Sequence, residues 1–133
     1  MKTILVDSSF LLAMVDRDDK HHNEVIAFLK ELGIATLLVT SHIFDEAMTL
    51  IKSRLGSEIA VRTGQQLRLS TLFRLIHVTE GDDKAAWEIF SQYTDKDWSY
   101  TDCSCLAVMR KLGITEVLSF DRHFDQMGIT RLP

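Results

Sequence analysis

Short apolar runs rich in β-branched residues alternate along the chain with longer segments whose apolar residues recur at helical spacing. The first run, Thr3-Ile4-Leu5-Val6, stops at Asp7 and predicts a strand. Over residues 23–32, Val25, Ile26, Phe28, Leu29 and Leu32 share one broad face, which predicts a helix stopped by Gly33 at its C′ position. Residues 36–40 predict a second strand. Ser41 can cap the next helix, in which Ile43, Ala47, Leu50 and Ile51 share a face and which Gly56 ends. A helix over 58–71, a strand over 75–78, and helices over 82–93 and 102–112 follow, the last closed by Gly113. A fourth strand is expected over 115–120 and a short fifth over 129–132.

Leu32-Gly33-Ile34-Ala35-Thr36 and Leu112-Gly113-Ile114-Thr115-Glu116 repeat one local device, a helix stop and a turn leading into a strand. Such alternation implies an α/β fold with parallel strands and helices on both faces. The 133 residues show no linker and no low-complexity segment, so one domain over 1–133 is expected. Apolar residues at 46% and charged residues at 26% fit a globular chain and disfavour disorder, collagen and coiled coil. Two cysteines cannot build a disulfide framework. Asp7 interrupts the apolar N-terminus, which lacks a small-residue cleavage pattern, and nothing nears the roughly 18 apolar residues of a membrane span. A soluble, cytoplasmic protein is expected.

Fifteen Lys+Arg against nineteen Asp+Glu give a net charge of −4, which excludes a generic basic nucleic-acid glue. The charge is uneven. Between residues 51 and 79, five basic residues (Lys52, Arg54, Arg62, Arg68, Arg74) face one acid, a net of +4; between 80 and 102, seven acids face two lysines, a net of −5. Two solvated faces would explain this. So would a basic flank beside an acidic pocket, as suits a metal-dependent enzyme acting on a polyanion.

The acids stand where strands end and helices begin. Asp7 and Asp121 follow the first and fourth strands, and the carboxyl ends of parallel strands line the ligand crevice of an open sheet. Asp102 opens a helix, and Glu46 sits early in another. Singly, Asp102 and Asp45 serve as well to complement helix N-termini, Asp121 as a turn residue and Glu46 as a surface acid. Asp7 has no turn to make, and a charge behind three apolar residues must be paired or metal-bound. Four converging carboxylates would resist ionising without cations, and oxygen-only ligation suits Mg²⁺ or Mn²⁺. Such a site permits phosphodiester hydrolysis.

Four segments in this order (Ile4-Leu5-Val6-Asp7-Ser8-Ser9, Ile43-Phe44-Asp45-Glu46-Ala47, Asp97-Trp98-Ser99-Tyr100-Thr101-Asp102-Cys103 and Ser119-Phe120-Asp121-Arg122-His123-Phe124) resemble the PIN-domain ribonucleases of the VapC-like toxin type over nearly the whole chain. The resemblance implies a three-layer α/β/α sandwich with a parallel sheet in the order 3-2-1-4-5. It implies an Mg²⁺- or Mn²⁺-dependent endoribonuclease whose metal site is Asp7, Glu46, Asp102 and Asp121, with Asp125 as an alternative to Asp121. Ser8, Asp97 and Thr101 fall in supporting positions, although Ser8 could instead begin the next helix and Thr101 could be an N-cap. A cognate antitoxin and a homodimer are also implied.

Arg17, Arg62, Arg68, Arg74 and Arg122 are candidates for phosphate contact, although each alone reads as solvated. Trp87 and Trp98 could stack on bases, core packing being the safer reading. His21 and His22 point about 100° apart on a helix and read as surface residues; His123, near Asp121, could contact substrate but reads by default as structural or exposed. Cys103 and Cys105 lack a second ligand pair and read as small core residues. A non-catalytic RNA- or protein-binding module and an RNA-processing nuclease without an antitoxin are the alternative functions. An Asp-x-Asp phosphatase is excluded by Ser9, and a phosphoacceptor domain is poorly served by His77-Val78-Thr79 after the third strand.

Overall fold

The computed structural model describes residues 2–133; Met1, where the apolar N-terminal run begins, lies outside them. Five parallel strands, β1 (Lys2–Val6), β2 (Ala35–Thr40), β3 (Phe73–Ile76), β4 (Glu116–Leu118) and β5 (Thr130–Leu132), form one sheet in the order β3-β2-β1-β4-β5. This is the order expected. Leu5 pairs with Leu38 on one side and Val117 on the other, so β1 has no free edge. Ile4, Leu5 and Val6 are all 1% exposed or less, because a parallel strand covered on both faces is apolar throughout rather than alternating.

The chain winds outward through β2 and β3, then returns across β1 to β4 and β5. With right-handed crossovers this reversal puts connecting helices on opposite faces and leaves a crevice at the carboxyl ends of β1 and β4. The helices among the described residues are α1 (Ser8–Val15), α2 (His22–Glu31), α3 (Ser41–Leu55), α4 (Ser57–Leu69), α5 (Glu80–Gln92), α6 (Tyr100–Leu112) and α7 (His123–Gln126). None is long and apolar enough to cross a membrane.

Several local expectations are corrected. Thr40, not Ser41, caps α3: its hydroxyl accepts from the Ile43 N–H at 3.2 Å, while the Ser41 hydroxyl accepts from the Val78 N–H at 2.9 Å. Gly33 is no left-handed stop; α2 closes into extended backbone at Leu32, whereas Gly113 does adopt φ 70° after α6. One short motif thus ends two helices by different means. The third strand runs two residues earlier than expected because Thr79 is taken up by a capping box with Asp82 that starts α5 at Glu80. Trp98 is buried, its indole N–H donating to Gln126 Oε1 at 2.8 Å, but Trp87 is 58% exposed and is not core. Both cysteines are free and buried, as expected.

Candidate metal centre

The crevice above β1 and β4 begins with Asp7. Its backbone N–H continues the ladder to the Leu118 carbonyl at 2.9 Å, which fixes the carboxylate directly over the strand end. That carboxylate is 4% exposed. Its Oδ2 accepts from the Ser9 hydroxyl at 2.9 Å and the Ser119 hydroxyl at 2.8 Å. Burial pushes the Asp7 carboxyl up to about 6; the two hydroxyls oppose that rise, and the nearby Asp102 charge adds to it. The same serines tie the strand ends together, since Ser9 Oγ accepts from the Phe120 N–H at 3.0 Å and Ser119 Oγ from the Asp121 N–H at 2.9 Å.

Three other elements bring acids to this point. Glu46 stands on α3, and Ser8 Oγ donates to its Oε1. Asp102 is the third residue of α6 and is almost fully buried. Its Oδ2 accepts from the Ser99 N–H at 3.0 Å while the Ser99 hydroxyl accepts from the Asp102 N–H at 3.0 Å, a capping box that locks the carboxylate at the helix start. Asp121 follows β4, and its Oδ1 accepts from the His123 N–H at 2.9 Å. The His123 ring closes the group, with Nδ1 2.8 Å from Asp102 Oδ2 and 3.3 Å from Asp121 Oδ1. Burial works to lower the His123 pKa, but hydrogen bonding to Asp102 and the carboxylate charges around it leave it raised overall.

Asp7, Glu46, Asp102 and Asp121 therefore all line one cleft of about 460 Å³. Among the described residues no Lys or Arg pairs with any of the four; His123 is the sole partner of opposite charge when protonated. Carboxylates gathered without basic partners call for a cation. Their oxygen donors fit a divalent ion that also keeps water in its shell.

The remaining candidates are scattered. Ser8 supports Glu46. Thr101 is half-buried on the outer side of Glu46, in a neighbouring hollow shared with His42 and Asp45. Asp97 is exposed, its charge felt at His123. Asp125 lies outside the cleft lining and is held by Arg131 through contacts of 3.1 and 3.2 Å, which keep its carboxyl below the usual range. Arg17 and Arg62 line a separate groove, Arg68 stacks 4.5 Å over the Phe44 ring, and Arg122 is exposed at the start of α7.

Sequence reasoning missed Ser9, Ser119, His21 and Arg54 as cleft residues, and it placed His123 near Asp121 without foreseeing its contact with Asp102. His21 stacks flat on Phe120 with ring centroids 3.9 Å apart, and Arg54 reaches the cleft from the last turn of α3. The serines carried a weak signal, a hydroxyl within two residues of each strand-end acid.

The PIN domain family model matches residues 4–129. The 23S rRNA-specific endonuclease VapC20 of Mycobacterium tuberculosis is 32% identical over 132 residues, 97% of each chain. A VapC ribonuclease of Archaeoglobus fulgidus is 26% identical over 132 residues, 96% of this chain and 82% of that one. The crystal structure of VapC20, described as a Sarcin-Ricin loop cleaving toxin, superposes with a TM-score of 0.89 at 31% identity over 96% of both chains. FitAcB from Neisseria gonorrhoeae shares the fold at a TM-score of 0.72, with 16% identity over 98% and 96% of the two chains.

Proposed function

The chain belongs to the PIN-domain family, and on that premise we propose that it is the ribonuclease toxin of a toxin–antitoxin pair, cutting RNA with a divalent cation held by Asp7, Glu46, Asp102 and Asp121. The observation that carries this reading is that those four acids line one cleft at the reversal point of the sheet, among the described residues without a Lys or Arg ion-pair partner. A bound Mg²⁺ or Mn²⁺ lowers the pKa of a water and offsets charge on a phosphodiester. The residues of the chain do the positioning. Ser9 and Ser119 aim Asp7, the Ser99 cap aims Asp102, and Ser8 aims Glu46.

Arg54 supplies the positive charge that an RNA phosphate needs beside an acidic centre. Arg54→Ala should raise KM for RNA about tenfold with little change in kcat, and should flatten the dependence of binding on salt. Initial rates across a range of RNA concentrations and ionic strengths check this. An unchanged KM removes Arg54 from the substrate path.

VapC20 makes 23S rRNA the first substrate to try. A cognate antitoxin, a homodimer and a cytoplasmic location complete the proposal, which takes the chain as one catalytic domain. The direct test is cleavage of ribosomal RNA and of a labelled single-stranded RNA by purified protein, with Mg²⁺, with Mn²⁺ and with EDTA. Cutting that needs the ion supports the reading. A folded protein that binds these RNAs but never cuts them in either ion defines a binding module instead.

A further inference from the structure

Two of the contacts at the cleft fall at spacings that suit ligands of one ion. His123 Nδ1 is 2.8 Å from Asp102 Oδ2 and 3.3 Å from Asp121 Oδ1. One donor atom from each of these three residues lies within 4.8 Å of the other two. Adjacent ligands around an octahedral ion with bonds of about 2.1 Å stand about 3.0 Å apart. The imidazole nitrogen therefore occupies the same kind of position relative to the carboxylates as they would to each other around a cation.

We propose that His123 is itself a ligand, through Nδ1, which makes this a mixed oxygen and nitrogen centre that favours Mn²⁺ or a later transition ion over Mg²⁺. The assignment rests on reading the four acids as a metal site. Mg²⁺ takes oxygen donors and holds its waters tightly, whereas an imidazole nitrogen is a good ligand for transition ions. The ring is placed for this role by its surroundings. The His123 N–H is held by Asp121 Oδ1, and the next residue, Phe124, is 0% exposed in the core and anchors α7. As a ligand the ring would be neutral, with its proton on Nε2 and the Nδ1 lone pair offered to the metal.

The test uses the whole chain and Mn²⁺ alone. Pulsed electron paramagnetic resonance of the Mn²⁺-loaded protein should show ¹⁴N coupling from a directly bound imidazole. His123→Ala and His123→Gln, checked for folding by circular dichroism, should both lose it. Calorimetric titration should show Mn²⁺ affinity falling about tenfold in His123→Ala, while Mg²⁺ affinity falls less than about threefold. Bound Mn²⁺ without ¹⁴N coupling overturns the proposal. Coupling that survives in His123→Ala does the same, since His21 also lines the cleft. Equal weakening for both ions overturns it too, because that marks a ring that only orients the carboxylates. The spectrum is independent of activity. Coupling without RNA cleavage keeps the ligand and removes the ribonuclease reading; cleavage without coupling does the reverse.

Discussion

Asp7→Asn is expected to abolish metal-dependent RNA cleavage and, at pH 8 without metal, to make the protein more stable rather than less. The loss of activity should exceed the roughly 10–100-fold cost of substitutions that touch a metal only through its ligands. The gain in stability follows from burial. The folded carboxyl titrates at about 6, while an unfolded Asp titrates near 3.9. Between those values the folded chain holds more protons than the unfolded one. Stability therefore falls as pH rises from about 4 to about 6 and stays at the lower level above that. A gap of about two pH units corresponds to about 3 kcal/mol. Asparagine carries no charge to desolvate, and its carboxamide oxygen can still accept from Ser9 and Ser119. Melting curves in EDTA at pH 5 and pH 8 should show the wild type losing stability between them and the variant holding steady. Adding Mn²⁺ at pH 8 should raise the wild-type Tm alone. A variant that cuts RNA at the wild-type rate, or a wild type with the same Tm at both values of pH, would defeat this account.

Asp102→Ala is expected to abolish cleavage as completely, but with the opposite effect on stability. Asp102 is both a cleft carboxylate and half of the capping box of α6. Its removal strands the Ser99 N–H and takes a negative charge from a helix N-terminus, at a cost of about 1 kcal/mol. For a chain of this size that lowers Tm by about 3–5 °C. Ser99→Ala separates the two roles, because it breaks the other half of the box and leaves the carboxylate in place. Its Tm should fall by a similar amount while much of the cleavage activity survives. Thermal melts beside cleavage rates for the two variants decide the matter. An Asp102→Ala protein with wild-type Tm would show that the cap contributes nothing to holding α6.

The strands were legible because parallel strands covered on both faces appear as unbroken apolar runs, and Thr3-Ile4-Leu5-Val6 is such a run. Their order was not contained in the spacing and came with the family resemblance. Helix α1 shows in the sequence only as a possible start at Ser8, for the same reason that it is stable. Phe10, Leu11, Leu12 and Ala13 are buried on every side, so no polar face marks a period. The caps slipped by one residue where Thr40 and Ser41 both offer a hydroxyl, and only the position of Val78 decides which one is free to cap. Asp7, Asp102 and Asp121 stand out in the sequence because each sits where a strand ends or a helix begins, whereas Glu46 lies in the second turn of α3 and came with the family resemblance. The places of Ser9, Ser119, Arg54 and His123 in the cleft do not stand out, because they depend on how segments far apart in the chain meet. Ser9 and Ser119, for example, come within 3.3 Å of each other across nearly the whole sequence.

The order of the sheet also sets when the cleft can exist. Its first strand lies in the middle, flanked by β2 and by β4, and the cleft closes only when Asp121 joins Asp7. During translation Asp7 therefore emerges more than a hundred residues before Asp121. A nascent chain still lacking β4 has an unpaired edge on β1 and an incomplete set of acids. A chain that stops before residue 121 lacks one of the four acids and should fail to cut RNA.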